Sequence, residues 1–315
     1  MQSIINVVLP VFAIILSGYL AGRFKVLGEE SGEVLQRFVF YVAMPVLLFY
    51  AMARVSAAEI LNWPYLSAYL GGQAITFLLA ILVAKFLLKK RLAESALSSM
   101  AGVYGNTGYM GIPLVMAAFG PDWAVPAIIA TVVNAAVVLG VVAAIIEIEL
   151  SVSDDVSDIF KDVVSALVRN PLLVAPVLGF CWSLSGLGLA APVKTFSSIL
   201  GAAAGPCALF SIGLFLVGKS LRRDTLEVSW IVILKLFVHP AVTWVLAFHV
   251  LEVDVMWATI CVVMAALPTG ANIFILARRY DLYLDRTSAV ILISTIASLL
   301  TLSILFSYWS ERLVF

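Results

Sequence analysis

Tyr104-Gly105-Asn106-Thr107-Gly108-Tyr109-Met110-Gly111-Ile112-Pro113 interrupts a long apolar segment with three glycines, a proline, an asparagine and a threonine. Glycine is too flexible for a helix interior, and proline lacks an N–H and clashes with the preceding turn. Inside a bilayer, such a break frees N–H and C=O groups that only protein or a watered cavity can satisfy. A second break stands at Leu267-Pro268-Thr269-Gly270-Ala271-Asn272. Two breaks in the two halves of one chain are the sequence pointer to a membrane binding site between repeats.

Composition sets the surroundings. The chain has 315 residues, 63% hydrophobic and 12% charged, with a mean hydropathy of +1.09. A soluble domain carries about 25% charged residues, so this is expected to be an all-α polytopic membrane protein in contact with the lipid bilayer, without a soluble domain. The formal net charge of zero offers no basic face to nucleic acid. Cys181, Cys207 and Cys261 fall in apolar segments without metal-ligand spacing and read as packing residues. No metal site and no cofactor are expected. HExxH, GxSxG and Walker A signatures are absent, as is an Asp pair in adjacent spans, so an enzyme is not supported. No repeated filter suggests a channel.

Segments of about 20 apolar residues suffice to cross a bilayer. Ten are expected, at roughly 3–23, 34–53, 63–88, 96–119, 122–147, 168–186, 195–218, 229–250, 255–277 and 287–309. The first has no basic residue before Arg23, so it reads as a membrane span and not as a cleavable signal. Residues 1–147 form one group of five spans and 168–315 another. Between them, 148–167 is an acidic linker with Asp154, Asp155, Asp158 and Asp162, and no His or Cys to make it a metal site. Of the 19 Lys and Arg, only Arg54, Lys194 and Arg312 lie in segments following even-numbered spans, and Lys235 is within a span. The positive-inside rule makes the opposite loops and the linker cytoplasmic and puts both termini outside the cell (inner) membrane.

A shift of 161 residues lays Pro10 on Pro171, Gly18 on Gly179, Pro45 on Pro206 and Leu48-Phe49 on Leu209-Phe210. One residue more lays Thr107-Gly108 on Thr269-Gly270. Five spans is an odd number, so the second repeat must be inverted. The expected fold is an inverted five-plus-five repeat with broken, crossed helices four and nine. Spans one, two, six and seven carry small-residue pairs such as Gly18/Gly22 and Gly201/Gly205 that let helices approach closely. They read as a scaffold and a candidate subunit interface.

Each break gives its second half-helix a free N-terminus with a positive dipole end, suited to an anion. Pro113 suits the first turn of that half, with Asn106, Thr107, Gly108 and Tyr109 beside it. Pro268, Thr269, Gly270 and Asn272 form the corresponding set. Neither break contains an acid or a Lys/Arg, which fits a small carboxylate better than a bare cation. Lys235 and His239 share a face of the eighth span. Lys235 is near enough to the cytoplasmic end to snorkel to the headgroups. His239 is either a satisfied structural residue or a proton-coupling group. Gln73 and Asn134 either line the cavity or bond neighbouring helices.

Gly105-Asn106-Thr107-Gly108-Tyr109-Met110-Gly111-Ile112-Pro113-Leu114, in a ten-span layout with Pro268-Thr269-Gly270-Ala271-Asn272 near its end, resembles the auxin efflux carrier family. The closest likeness is to the short bacterial members, among them malonate and malate permeases. The resemblance implies a secondary transporter of a small organic anion working by alternating access, an elevator-like motion of the remaining helices against a scaffold, and a homodimer through helices one, two, six and seven. The long central loop of the plant members is missing, which favours a small organic acid over auxin. Family membership leaves the coupling ion open between proton and sodium. The competing readings are a sodium-coupled bile-acid-type carrier, which would bring acidic ligands near the crossing, and a non-transporting membrane sensor.

Overall fold

The computed structural model describes residues 7–56, 61–150, 165, 168–218 and 225–310. Every regular element among them is helical. In chain order these are α1 (Leu9–Arg23), α2 (Glu30–Met52), α3 (Trp63–Leu87), α4 (Leu92–Val103), α5 (Thr107–Phe119) and α6 (Pro121–Leu150). They continue with α7 (Pro171–Leu184), α8 (Ala191–Leu216), α9 (Leu226–Val250), α10 (Val255–Ala266), α11 (Asn272–Arg279) and α12 (Leu284–Ser310). Among the described residues six helices, α2, α3, α6, α8, α9 and α12, are long and apolar enough to cross a membrane, while α1, α5, α7 and α10 are shorter apolar helices. The chain is thus a multi-pass membrane protein. The expected spans 96–119 and 255–277 are each divided in two, as α4/α5 and α10/α11. Asp154, Asp155, Asp158 and Asp162 of the linker lie outside the described residues.

Local chemistry sets the ends and bends. Asn62, Asn170 and Asp254 cap α3, α7 and α10, each accepting from a backbone N–H of the first turn at 3.0–3.1 Å, which satisfies donors that a helix start leaves open. Pro45, Pro113 and Pro240 each follow a widened π turn, at Val39–Ala43, Thr107–Gly111 and Leu234–Val238. A proline has no N–H for the carbonyl four residues earlier, and the turn before it opens to accommodate the ring.

Glycines bring the helix backbones together. A Cβ added at Gly18 of α1 would stand 2.1 Å from the Phe210 carbonyl oxygen of α8, and one at Gly213 would stand 2.0 Å from that of Ile15. Likewise α7 lies against α2, where a Cβ at Gly179 would stand 2.5 Å from the Phe49 carbonyl oxygen. A second apolar cluster, with Leu97, Met100, Ile146, Ile231 and Val290, joins α4, α6, α9 and α12.

Candidate functional site

The two breaks satisfy each other. Between α4 and α5, and between α10 and α11, the chain runs extended, and the two extended pieces pass antiparallel with Gly105 opposite Thr269. The Asn106 N–H donates to the Pro268 carbonyl at 2.8 Å, and the Gly270 N–H donates to the Tyr104 carbonyl at 3.0 Å. Backbone groups that a bilayer would leave unsatisfied, at a cost of several kcal/mol each, are paired across the crossing. The fit is close: a Cβ at Gly270 would come within 3.0 Å of the Gly105 carbonyl oxygen.

Side chains brace this backbone. Asn134 of α6 is fully buried and donates through Nδ2 to the Thr107 hydroxyl at 3.1 Å and the Gly105 carbonyl at 3.3 Å. Its Oδ1 accepts from Gln73 Nε2 of α3. On the other break, the Thr269 hydroxyl donates to the Ala101 carbonyl at 2.8 Å, and the Thr269 N–H donates to Ser294 Oγ at 3.1 Å. Asn272 Nδ2 donates to the Tyr104 hydroxyl at 2.9 Å. Tyr104 thereby joins both breaks, through its carbonyl to Gly270 and through its ring oxygen to Asn272.

What remains open faces a cleft. Asn106, Thr107, Gly108 and Tyr109 from the first break, and Gly270, Ala271 and Asn272 from the second, line a space of about 20 Å³ with Thr131 and Ala135 of α6. That is room for about one water. No acidic or basic side chain lines it. Tyr109, Ala271 and Asn272 also line an adjoining cavity of about 750 Å³ whose wall carries Arg37, Arg278 and Arg279. Arg37 pairs with Glu33 at 2.8 Å and Arg279 with Glu147 at 3.9 Å, whereas Arg278 has no ion-pair partner among the described residues.

The structure therefore brings Asn106, Thr107, Gly108, Tyr109, Gly270 and Asn272 to one cleft and places three other candidates elsewhere. Pro113 packs beside Gly205 of α8, while Pro268 and Thr269 are buried in the crossing backbone. Gln73 and Asn134 stand behind the first break as braces. Lys235 and His239 lie outside the cleft lining. Lys235 does not snorkel: it is fully buried, and its Nζ donates to the Ala265 carbonyl at 2.5 Å. A carbonyl in the last turn of a broken helix is a partner inside the protein that hydropathy cannot foresee. Tyr104 and Ser294 join this network without having stood out as site residues in the sequence. The first stood within the interrupted stretch, but nothing in the pattern marked the second.

An all-helical membrane chain with two interlocked helix breaks around a polar cleft has the makings of a solute transporter. Residues 3–306 match the family described as Membrane transport protein. The chain belongs to that family, the one that holds the auxin efflux carriers, and it is not an enzyme. It is 29% identical over 306 residues to a Rhizobium meliloti (strain 1021) protein named "Putative malonate transporter", covering 96% of this chain and 95% of that one. It is 26% identical over 309 residues to an "Uncharacterized transporter" of Methanocaldococcus jannaschii, covering 95% and 96%. The Escherichia coli (strain K12) "Uncharacterized transporter YfdV" is 23% identical over 309 residues, at 93% of each chain.

Proposed function

We propose that this protein is a secondary transporter of small organic anions, with mono- and dicarboxylates such as malonate or malate as the substrate class. The observation that carries this reading is the cleft together with the larger cavity it adjoins: two half-helix N-termini, at Thr107 and Asn272, meet in the cleft around amides and hydroxyls with no acid among them, and the cavity has the room for the anion that the cleft alone lacks. Free N–H groups and positive dipole ends suit a carboxylate. The arginine-bearing cavity that shares Tyr109 and Asn272 with the cleft would gather anions from one side of the membrane. The name of the Rhizobium meliloti relative points to the same class of solute.

The architecture we infer is ten spans in an inverted five-plus-five repeat, with 1–147 and 168–315 as the halves and α4/α5 crossing α10/α11. Its support is reciprocal packing. Gly18 lies on Phe210 and Gly179 on Phe49, and a shift of 161 residues turns the first pair into the second. Helices one, two, six and seven of that count (α1, α2, α7 and α8) form the fixed scaffold and the interface of a homodimer, and the remainder moves in an elevator-like alternation. The protein sits in the cell (inner) membrane with both termini outside.

The test is a thermal-shift screen of the purified protein against mono- and dicarboxylates, followed by uptake into liposomes. Stabilisation by at least one carboxylate and its transport without sodium are expected. Strict sodium dependence would favour the bile-acid-type reading, and binding without transport would favour a sensor.

A further inference from the structure

Lys235 and His239 are one helical turn apart on α9 and both are wholly buried. Lys235 Nζ donates to the Ala265 carbonyl and lies 3.2 Å from His239 Nδ1. Ala265 is in the last turn of α10, two residues before the break begins at Leu267, so its carbonyl has no partner within the helix. The negative end of the α10 dipole also falls there. An ammonium group suits that position. Yet Lys235 has no salt bridge among the described residues, and a buried charge without a counter-charge is costly.

The surroundings supply a proton acceptor and a polar lining. With Lys235 as donor, His239 Nδ1 is the acceptor and its ring hydrogen sits on Nε2. That Nε2 has no hydrogen-bond partner among the described residues, and neither do Gln73 Oε1 and Thr76 Oγ1 on one face of α3. The Tyr69 and His239 ring centroids are 6.5 Å apart. Gly72 packs on Thr243, one turn along α9 from His239. Tyr69 of α3 faces His239, and the titratable groups beside Tyr69 are Cys261 of α10 and Tyr104 beyond the end of α4, none of the three charged at neutral pH. On α12, the charged Asp285 and Arg286 lie in the first turn. Gln73 continues the seam to Asn134 and hence to Thr107 at the cleft.

We propose that Lys235 and His239 form a proton-binding site linked to the crossing cleft, so that a proton accompanies each carboxylate. The missing counter-charge is the bound anion. An anion in the cleft favours the ammonium form, and by reciprocity the ammonium favours the anion. The proton passes from bulk water to the free amine at Nζ and returns to bulk water when the anion leaves, so only an N–H bond is made and broken. The linkage rests on the carrier reading; the proton site itself does not.

Two measurements separate them. In the ligand-free, full-length protein, unfolding temperature is followed from about pH 5 to about pH 9 for wild type, Lys235→Met and His239→Gln, with Lys235→Arg as the fallback where the uncharged variant does not fold. The gap between wild type and variants should change with pH by several degrees; a gap that stays constant overturns the proton site. Next, proton uptake on adding malonate is read with an indicator dye in weak buffer. Wild type should take up about one proton per malonate bound, and Lys235→Arg should bind malonate with none. Equal uptake in Lys235→Arg overturns the linkage, as does a wild type that binds no mono- or dicarboxylate. That second outcome also sinks the carrier reading while leaving the first measurement intact.

Discussion

Asn106 gives its backbone to the fold and keeps its side chain for the cleft. Its N–H reaches Pro268 and its carbonyl accepts from Met110 and Gly111, while its side chain does not cap α5. Replacing it with alanine should therefore weaken carboxylate binding tenfold or more, on the order of 1.5–3 kcal/mol for a hydrogen bond to a charged group, with unfolding temperature nearly unchanged. Thermal shift in a carboxylate titration reads both quantities, and wild-type affinity in both Asn106→Ala and Asn272→Ala would remove this cleft from the site. Asn134 predicts the opposite pattern. Truncating it to alanine strips partners from the Gly105 carbonyl, Thr107 and Gln73 at once, and should cost about 1–3 kcal/mol of stability in a denaturant melt. The sequence marked Asn106, Thr269 and Asn272 alike as polar residues at a break. It could not separate them, because the partner that occupies Thr269 is a carbonyl 168 residues away.

Helix breaks were legible because glycine and proline act locally, through missing donors and backbone freedom. The way the broken ends are satisfied was not, since the antiparallel pairing of Gly105 with Thr269 joins distant segments. Helix contacts divide in the same way. Gly18 and Gly201 could be read as small residues, but that Gly18 meets the Phe210 carbonyl and Gly201 meets Leu47 is information held in pairs of helices. At Gly18 the approach is close enough for a direct test. A methyl group there would stand 2.1 Å from a backbone oxygen, while at Gly28 nothing lies within 4 Å. Gly18→Ala should lose about 1–3 kcal/mol through forced separation of α1 and α8, and Gly28→Ala should melt with wild type. Equal melting of the two variants in detergent would show that α1 and α8 do not touch as described.

At the scale of the molecule, one charged cluster ties several helix ends together. Glu227 at the start of α9 accepts from the Tyr283 hydroxyl, pairs with Lys90 at 3.0 Å and with Arg286 at 3.5 Å, and so ties the α3–α4 connection to α9 and α12. Burial and the Glu227 carboxylate push the pKa of the Tyr283 phenol upward and hold it protonated. Lys90 and Arg286 belong to the basic set that the positive-inside rule assigns to the cytoplasm. The rule reads each loop by itself, whereas an inverted repeat makes a joint claim about two loops. Val26 follows α1 and Leu187 follows α7, both are exposed, and they correspond under the 161-residue shift. Inversion requires them to face opposite sides of the membrane; a parallel repeat would place them on the same side. In a chain carrying Cys181→Ser and Cys207→Ser, Val26→Cys should react with a membrane-impermeant maleimide only when the cytoplasmic face is open to the reagent. Leu187→Cys should react from outside in intact cells. Labelling of both from one side would refute the inverted repeat while leaving the crossing of the two breaks untouched, because their hydrogen bonds do not depend on which face of the membrane each half addresses.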